Sequence, residues 1–409
     1  MDYRNYDPER DKDACHRIWY ETGWIRPGKE EGMDLFVECG RAIVADLDGE
    51  PECLVTTAPG TIRYLKEDLS FSVVTGVTTS RVARKQGFAK RLTALAVALD
   101  AADGALVSGL GMFEQGYYNQ LGFGTGGYEH WAAFDPARLN VRLRLRVPRR
   151  LTLDDGEMMH TCRLTRRRPH GSCNITPVDF TKCTMRHGEG SFGLGYCDGP
   201  KGELTHHFWC RPENVGEGPY IIEWVAFQNA DQFLELMAVL KSLGDQVRQV
   251  RMDEPAGIQL QDLLDRPFQL HQLTEKGKFE ARIDAVAYWQ MRICDLPGCL
   301  ARTHLRGGEV RFNLSLTDPI ESALDADAPW GGVAGEYVVT LGPSSGAERG
   351  TDAALPTLKA SVNAFTRMWL GVRPATGLAV TDDLSGPAEL LEQLDWVLRL
   401  PAPRPDWGF

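Results

Sequence analysis

Apolar and polar positions along this chain fall into two periods, and the most informative stretch is where one gives way to the other. Residues 71–77 are mostly β-branched or aromatic, as in a strand, whereas from Phe88 the apolar set Leu92, Leu95, Ala96 and Leu99 recurs at spacings of three and four, as in a helix. Upstream, 11–19 predicts a helix, and 39–47 and 53–58 read as neighbouring strands joined by a turn at Asp48-Gly49-Glu50. Downstream, 105–110 is a short apolar strand ending at Gly111. The order strand, helix, strand returns at 220–226, 230–243 and 247–250, where Phe233, Leu234, Leu236, Met237 and Leu240 lie on or near one helical face. In the last third, 288–293, 310–316 and 337–341 are apolar stretches, and 356–369 and 388–396 have helical spacing. These patterns predict a mixed α/β chain. Its 409 residues exceed what one core organises, so two or three domains are expected, with boundaries near 144 and 285.

The junction between the two periods carries chemistry. Its sequence, Arg84-Lys85-Gln86-Gly87-Phe88-Ala89, puts a basic glycine turn immediately before a helix start. Free N–H groups at a helix N-terminus, together with the helix dipole, favour an anion there, and Gly87 has no Cβ to block a close approach. Arg84 and Lys85 add positive charge, while Lys90 and Arg91 also suit a solvent-facing helix surface. The turn lacks the three-glycine spacing of a dinucleotide-binding fingerprint and the Gly-Lys-Ser/Thr end of a P-loop, which disfavours both of those folds. Beyond the following strand, Tyr117-Tyr118-Asn119-Gln120-Leu121-Gly122-Phe123-Gly124 offers Tyr118 as a proton donor, or alternatively as one member of an aromatic cluster with Phe123. Glu114 is a nearby carboxylate of low priority as a base.

Composition narrows the classes. A formal charge of -11 argues against a general nucleic-acid binder, although the alternating cationic run 142–150 reads as an edge strand facing solvent or an acidic partner within the protein. No apolar run is long enough to span a bilayer, and the expected location is the cytoplasm. The ten cysteines include no Cys-x-x-Cys pair. Cys162, Cys173, Cys183, Cys197 and Cys210, near His160, His187, His206 and His207, do not match zinc-finger spacing, so buried free thiols and no metal are expected. The end of the chain, 401–409, is rich in proline and aromatics and is expected to be extended and packed.

The stretch 73–92 resembles the acetyl-CoA-binding motif of the GNAT acyltransferase superfamily, and 118–124 resembles its Tyr-x-x-x-Gly-Phe/Tyr-Gly element. Length and order together resemble the Eis-like multi-domain N-acetyltransferases. That resemblance implies a catalytic domain at 1–144, a degenerate second GNAT-like copy at 145–285 and a sterol-carrier-protein-like domain at 286–409. It further implies acetyl-CoA as cosubstrate, held by Val77, Thr78, Thr79, Arg84, Lys85, Gln86, Gly87, Phe88 and Ala89. A primary amine would be the acceptor, with aminoglycosides, polyamines and lysine side chains left open. Tyr118 would be the general acid, the carboxylate of Phe409 the base, and the assembly a homo-oligomer, a hexamer. Thr79 and Arg81 depart from the valine and proline often found before the loop, and Ala89 stands where the motif often has glycine. The rival reading is a non-catalytic protein that senses acyl-CoA or binds lipid.

Overall fold

The computed structural model describes residues 2–267 and 277–409. Its first elements are β1 (Asp2–Asn5), α1 (Pro8–Thr22), α2 (Glu30–Glu38), β2 (Arg41–Leu47), β3 (Glu50–Tyr64), β4 (Glu67–Thr79), α3 (Phe88–Ala102) and β5 (Val107–Gly111). Local chemistry explains several of their limits. Helix α1 starts where the Asp7 side chain accepts the Glu9 N–H, with Pro8 at the first helical position, and it stops at Gly23, whose φ of 78° is left-handed. Strands β2 and β3 are joined through Asp48 and Gly49, with φ values of 55° and 90°, a turn whose twist matches that of the flanking strands.

Alternation along the strands then fills both faces of the sheet. Ile43, Ala45, Cys53 and Val55 pack with Leu92, Ala96 and Val97 of α3, whereas Val44 and Leu54 pack with Cys15 and Trp19 of α1. Strands β1 to β4 are consecutive antiparallel neighbours, and β4 pairs in parallel with β5, with α3 as the crossover.

The strand pairing runs across both boundaries expected from the sequence. The first sheet continues from β5 to the strand Trp289–Ile293 and then to Gly124–Thr125, and Cys173–Ile175 pairs with the far end of β3. The second sheet begins with Arg282–Val286 and Glu129–Phe134 and continues through Val250–Asp253, Tyr220–Ala226, His206–Pro212, Phe192–Tyr196 and Arg149–Leu151. Within it, Tyr220–Ala226 and Val250–Asp253 are parallel, and the helix Ala230–Ser242 connects them, repeating the order β4, α3, β5. A third sheet contains Val310–Thr317, Gly335–Leu341, Gly346–Arg349, Thr357–Ser361 and Leu384–Ser385. Its core is continuous with that of the first sheet, because Phe71, Val73 and Met291 pack in one cluster with Phe365, Trp369 and Leu394.

Three sequence expectations need correction. Residues 356–369 are not one helix: Thr357–Ser361 is a strand paired in parallel with Val310–Thr317, and the helix Val362–Trp369 begins at Ser361, whose hydroxyl accepts the Ala364 N–H. Apolar spacing did not separate the two because the strand is too short to establish its own period. The strand expected at 247–250 is Val250–Asp253, since Gln246 and Val247 are still bonded back to Leu243 at the helix end. Of the cationic run 142–150, only its end pairs as a strand, in Arg149–Leu151. Arg146 instead bridges Asp198, at 2.7 Å, and Glu235, the acidic partner within the protein that the run had offered as its second reading.

Candidate active site

A fork between β4 and β5 organises the site. Parallel pairing extends from Phe71 opposite Val107 to Val74 opposite Leu110 and then stops, although β4 continues to Thr79. At the point of divergence the register with β3 shifts, and Gly76 has a φ of 61°. A Cβ at that glycine would lie 2.5 Å from Thr56 Oγ1 and 3.1 Å from the Phe36 ring, so both the backbone angle and the space require glycine. The Ser80 N–H donates to Glu52 O on β3. By alternation, Thr79 turns its own N–H toward the open side of the fork. Thr78 has a different task, since its Oγ1 accepts the Trp19 indole N–H at 3.1 Å.

The expected phosphate loop follows. Arg84, Lys85, Gln86 and Gly87 are exposed, Phe88 is buried in the core beneath α3, and Ala89 is half-buried. Lys85 and Gly87 have φ values of 62° and 85°, so two left-handed residues curl the backbone just before the helix. Gly87 is the N-cap of α3, no side chain caps the helix there, and its first turn contains no acidic residue. The first N–H groups of α3 therefore lack a side-chain acceptor. Arg84 and Lys85 form no ion pair among the described residues, whereas Arg81 is tied to α1 through Glu21. This is an anion-binding geometry made of backbone donors and two uncommitted cations.

Tyr118 opens a short 3-10 turn, Tyr118–Leu121, that ends at Gly122 with a φ of 84°. The aromatic-cluster reading describes the ring. The ring is buried among Ala83, Phe88, Leu110, Leu121 and Phe123, and it meets Tyr117 edge-on at 4.9 Å. Its hydroxyl has no hydrogen bond among the described residues. Burial pushes its pKa well up, with smaller contributions from Tyr117 and Cys53. The turn is secured from the last third of the chain: Asn363 donates to the carbonyls of Asn119 and Phe123 at 2.9 and 3.0 Å, and Arg292 donates to Leu121 O. Arg292 is itself buried and paired with Asp318 at 2.6 Å. At Gly122 a Cβ would come within 2.7 Å of both Arg292 Nη1 and Val362 Cγ1.

The end of the chain reaches the same fork. Phe409 packs its ring 6.0 Å from that of Phe71 on β4, and its main-chain oxygen lies where a Cβ on Gly111 would be only 2.1 Å away. The segment leading to it is packed, as the sequence led us to expect. Cys173 N–H donates to Pro405 O at 2.8 Å, Arg404 N–H donates to His170 O at 3.0 Å, and Asp406 takes Arg166 at 2.7 Å and the Ser172 hydroxyl at 2.6 Å. Trp407 is buried beneath the Arg163 guanidinium, 3.8 Å from the ring centre.

Beside Phe409 lies a cavity of about 320 Å³, bounded by Gly111 of the fork, by residues of the second sheet and by the tail. It contains residues that sequence reasoning missed: Glu129, Asp253 and Asp406, with Arg166 and Arg404 supplying counter-charges. Burial and the charge of Asp253 push Glu129 up to about 7, and burial pushes Asp253 up to about 6. No local signal could have found this group, because it is assembled from two strands and the tail. Tyr118 and Glu114 do not line this cavity, and Glu114 is exposed.

Of the cysteines and histidines of the middle third, Cys183 and His187 meet at 3.5 Å, but among the described residues they build no larger cluster. The ten cysteines are free and nine are buried, and a histidine with two carboxylates near enough to share an ion, Asp198, His206 and Glu235, includes no cysteine. Arg146 already bridges its two carboxylates. Among the described residues, no helix is long and apolar enough to cross a membrane.

No protein-family model matches the sequence, and no curated protein matches it. Solved structures do match in fold. A probable N-acyltransferase of Enterococcus faecalis is 18% identical, with a TM-score of 0.80 over 100% of this chain and 99% of that one. A GCN5-related N-acetyltransferase from Anabaena variabilis is 13% identical, with a TM-score of 0.79 over 100% of both chains. Eis1 from Mycobacterium abscessus is 14% identical, with a TM-score of 0.76, again over 100% of both. At such identities the likeness is one of fold: over its whole length, this chain shares the multi-domain architecture of solved proteins called GCN5-related N-acetyltransferases.

Proposed function

We propose that this protein is an acetyl-CoA-dependent N-acetyltransferase acting on a primary amine. The observation that carries the reading is the β4/β5 fork, with an uncapped helix end and uncommitted Arg84 and Lys85 at one limb and the chain's last residue seated against Gly111 at the other. The coenzyme pyrophosphate sits on the N–H groups of 84–89, and its pantetheine arm runs along the open edge of β4 near Val77 and Thr79.

In the reaction, the amine nitrogen attacks the acetyl carbonyl, forming the C–N bond while charge develops on oxygen, where N–H donors at the open edge of β4 stabilise it. Collapse breaks the C–S bond, and the leaving thiolate takes the Tyr118 proton. Burial keeps that phenol protonated at neutral pH, the state required of a donor. The proton lost by the ammonium passes to the Phe409 α-carboxylate through water, because a carboxylate with an ordinary pKa of about 3.5 is a weak base. The second sheet, which adds Glu129–Phe134 to strands of 145–285, serves as a second copy without the coenzyme loop, and the sterol-carrier-like part, 286–409, delivers the tail to the fork. A hexameric assembly also belongs to this reading.

The test is thiol release from acetyl-CoA, with coenzyme binding measured in parallel. Residues appended after Phe409, or Tyr118→Phe, should lower turnover about 100-fold or more and leave coenzyme affinity within about twofold. Unchanged turnover in either variant removes that residue from its role. Tight coenzyme binding without release for any amine would favour the acyl-CoA sensor.

A further inference from the structure

The cavity beside Phe409 is unevenly furnished. Its walls are rich in aromatic side chains, among them Trp131, Phe227, Trp289 and Trp407. Three of its four acidic side chains already have a cation: Asp253 pairs with Arg404, Asp406 with Arg166 at 2.7 Å, and Glu223 with Arg211 at 2.6 Å. Glu129 is the exception. It stands at the start of the strand Glu129–Phe134, lines the same cavity, and forms no hydrogen bond or ion pair through its carboxylate among the described residues.

We infer that the acceptor is a small amine with one ammonium group on an aromatic or apolar body, and that Glu129 is the residue that selects it. This rests on the acyl-transfer reading and narrows it. The single ammonium meets Glu129, the one uncommitted side-chain carboxylate, on its way to the Phe409 α-carboxylate that takes its proton, and the flat body of the acceptor meets aromatic walls through stacking and cation–π contact. A polycation fits poorly. Each additional ammonium would lose its water against indole rings, or against carboxylates whose charge an arginine already answers, and a buried ion without a partner is strongly disfavoured. Size points the same way, since about 320 Å³ is at the small end of the roughly 300–1,000 Å³ typical of ligand sites.

The pH dependence has a definite sign. The charged groups that face Glu129 are Asp253 on the second-sheet strand Val250–Asp253 and Arg404 and Asp406 on the tail. Glu129, pushed up to about 7, gains its charge as pH rises through that value. Affinity for an ammonium therefore rises from pH 6 to pH 8.

The test uses the full chain with phenethylamine, spermidine and kanamycin as probes, following calorimetric binding and, separately, thiol release from acetyl-CoA. Phenethylamine is expected to bind at least about tenfold more tightly than either polycation. Glu129→Gln should weaken it at least about tenfold and flatten the rise between pH 6 and 8, with coenzyme affinity unchanged. Tighter binding of spermidine or kanamycin, no binding of phenethylamine, or a Glu129→Gln variant with unaltered phenethylamine affinity and pH profile would each overturn the inference. Selective phenethylamine binding that depends on Glu129 but yields no thiol release supports the site assignment and overturns the acyl-transfer reading instead.

Discussion

The chain contains two strand–helix–strand units of the same topology, and their helix starts are finished in opposite ways. In the first, residues 80–87 form a basic loop with two left-handed residues, and α3 begins at Gly87 with no side-chain cap. In the second, only 227–229 separate strand from helix, and the start is closed. Asn229 accepts the Gln232 N–H at 3.0 Å, while the Gln232 side chain accepts the Gln228 N–H at 2.8 Å. A capped helix end satisfies its own donors, and an uncapped one leaves them for a ligand. Topology alone therefore does not make an anion site. The difference lies in a few residues at one turn.

The largest expected effect comes from closing the open end electrostatically. Arg84→Glu with Lys85→Glu should raise the coenzyme Kd about 10³-fold by calorimetry, since two charge-assisted contacts worth about 1.5–3 kcal/mol each are replaced by repulsion. The same pair of charges introduced beside Asn229 should leave it unaltered. Equal loss at both turns would break the comparison.

Acid should distinguish the units next. His207 in the second sheet accepts the Trp224 indole N–H at 3.0 Å, which requires a neutral ring, and burial holds its pKa down to about 3. A base whose folded pKa is depressed contributes stability above its unfolded value near 6.5 and loses it as pH falls toward the folded one. The loss reaches about 2 kcal/mol by pH 5. Amide protection in the second sheet should therefore fall between pH 6.5 and 5 in a part that His207→Gln removes, whereas the loss around His170, which accepts the Leu65 N–H beside the first sheet and whose pKa burial lowers to about 4, should survive that substitution.

Smaller effects sharpen the contrast at single residues. Gly87→Ala puts a Cβ on a φ of 85°, with open space around it, so it should destabilise by about 1–2 kcal/mol through backbone strain alone and weaken coenzyme binding by thermal-shift titration. Asn229→Ala should lower stability by about 1 kcal/mol through the lost cap and leave coenzyme affinity where it was.

Much of the local structure was legible beforehand. The junction at 84–89 could be read because every feature of it is contiguous: a change of period, a glycine, and charges next to that glycine. The turn at Asp48-Gly49 and the packing of 401–409 were legible for the same reason. Other parts were not. Residues 356–369 hid a strand because five residues, Thr357–Ser361, are too few to establish a period before the helical one begins. Gly111 looked like the end of a strand, yet the main chain of Phe409 is what leaves no room for a side chain there.

By itself, the sequence determined a mixed α/β chain, the position and positive charge of the glycine turn before α3, and the aromatic turn that carries Tyr118, because helix caps, positive φ angles and periodicity act over a few neighbouring residues. Only the tertiary structure decided that Trp289–Ile293 joins the first sheet, that Asn363 and Arg292 hold the Tyr118 turn, and that Glu129 is left, among the described residues, without a cation in a cavity whose other acidic side chains are paired. Those outcomes depend on which distant segments exclude water from one another, and a carboxylate's partner, hence its charge and its use, is set by that packing rather than by its neighbours in the chain.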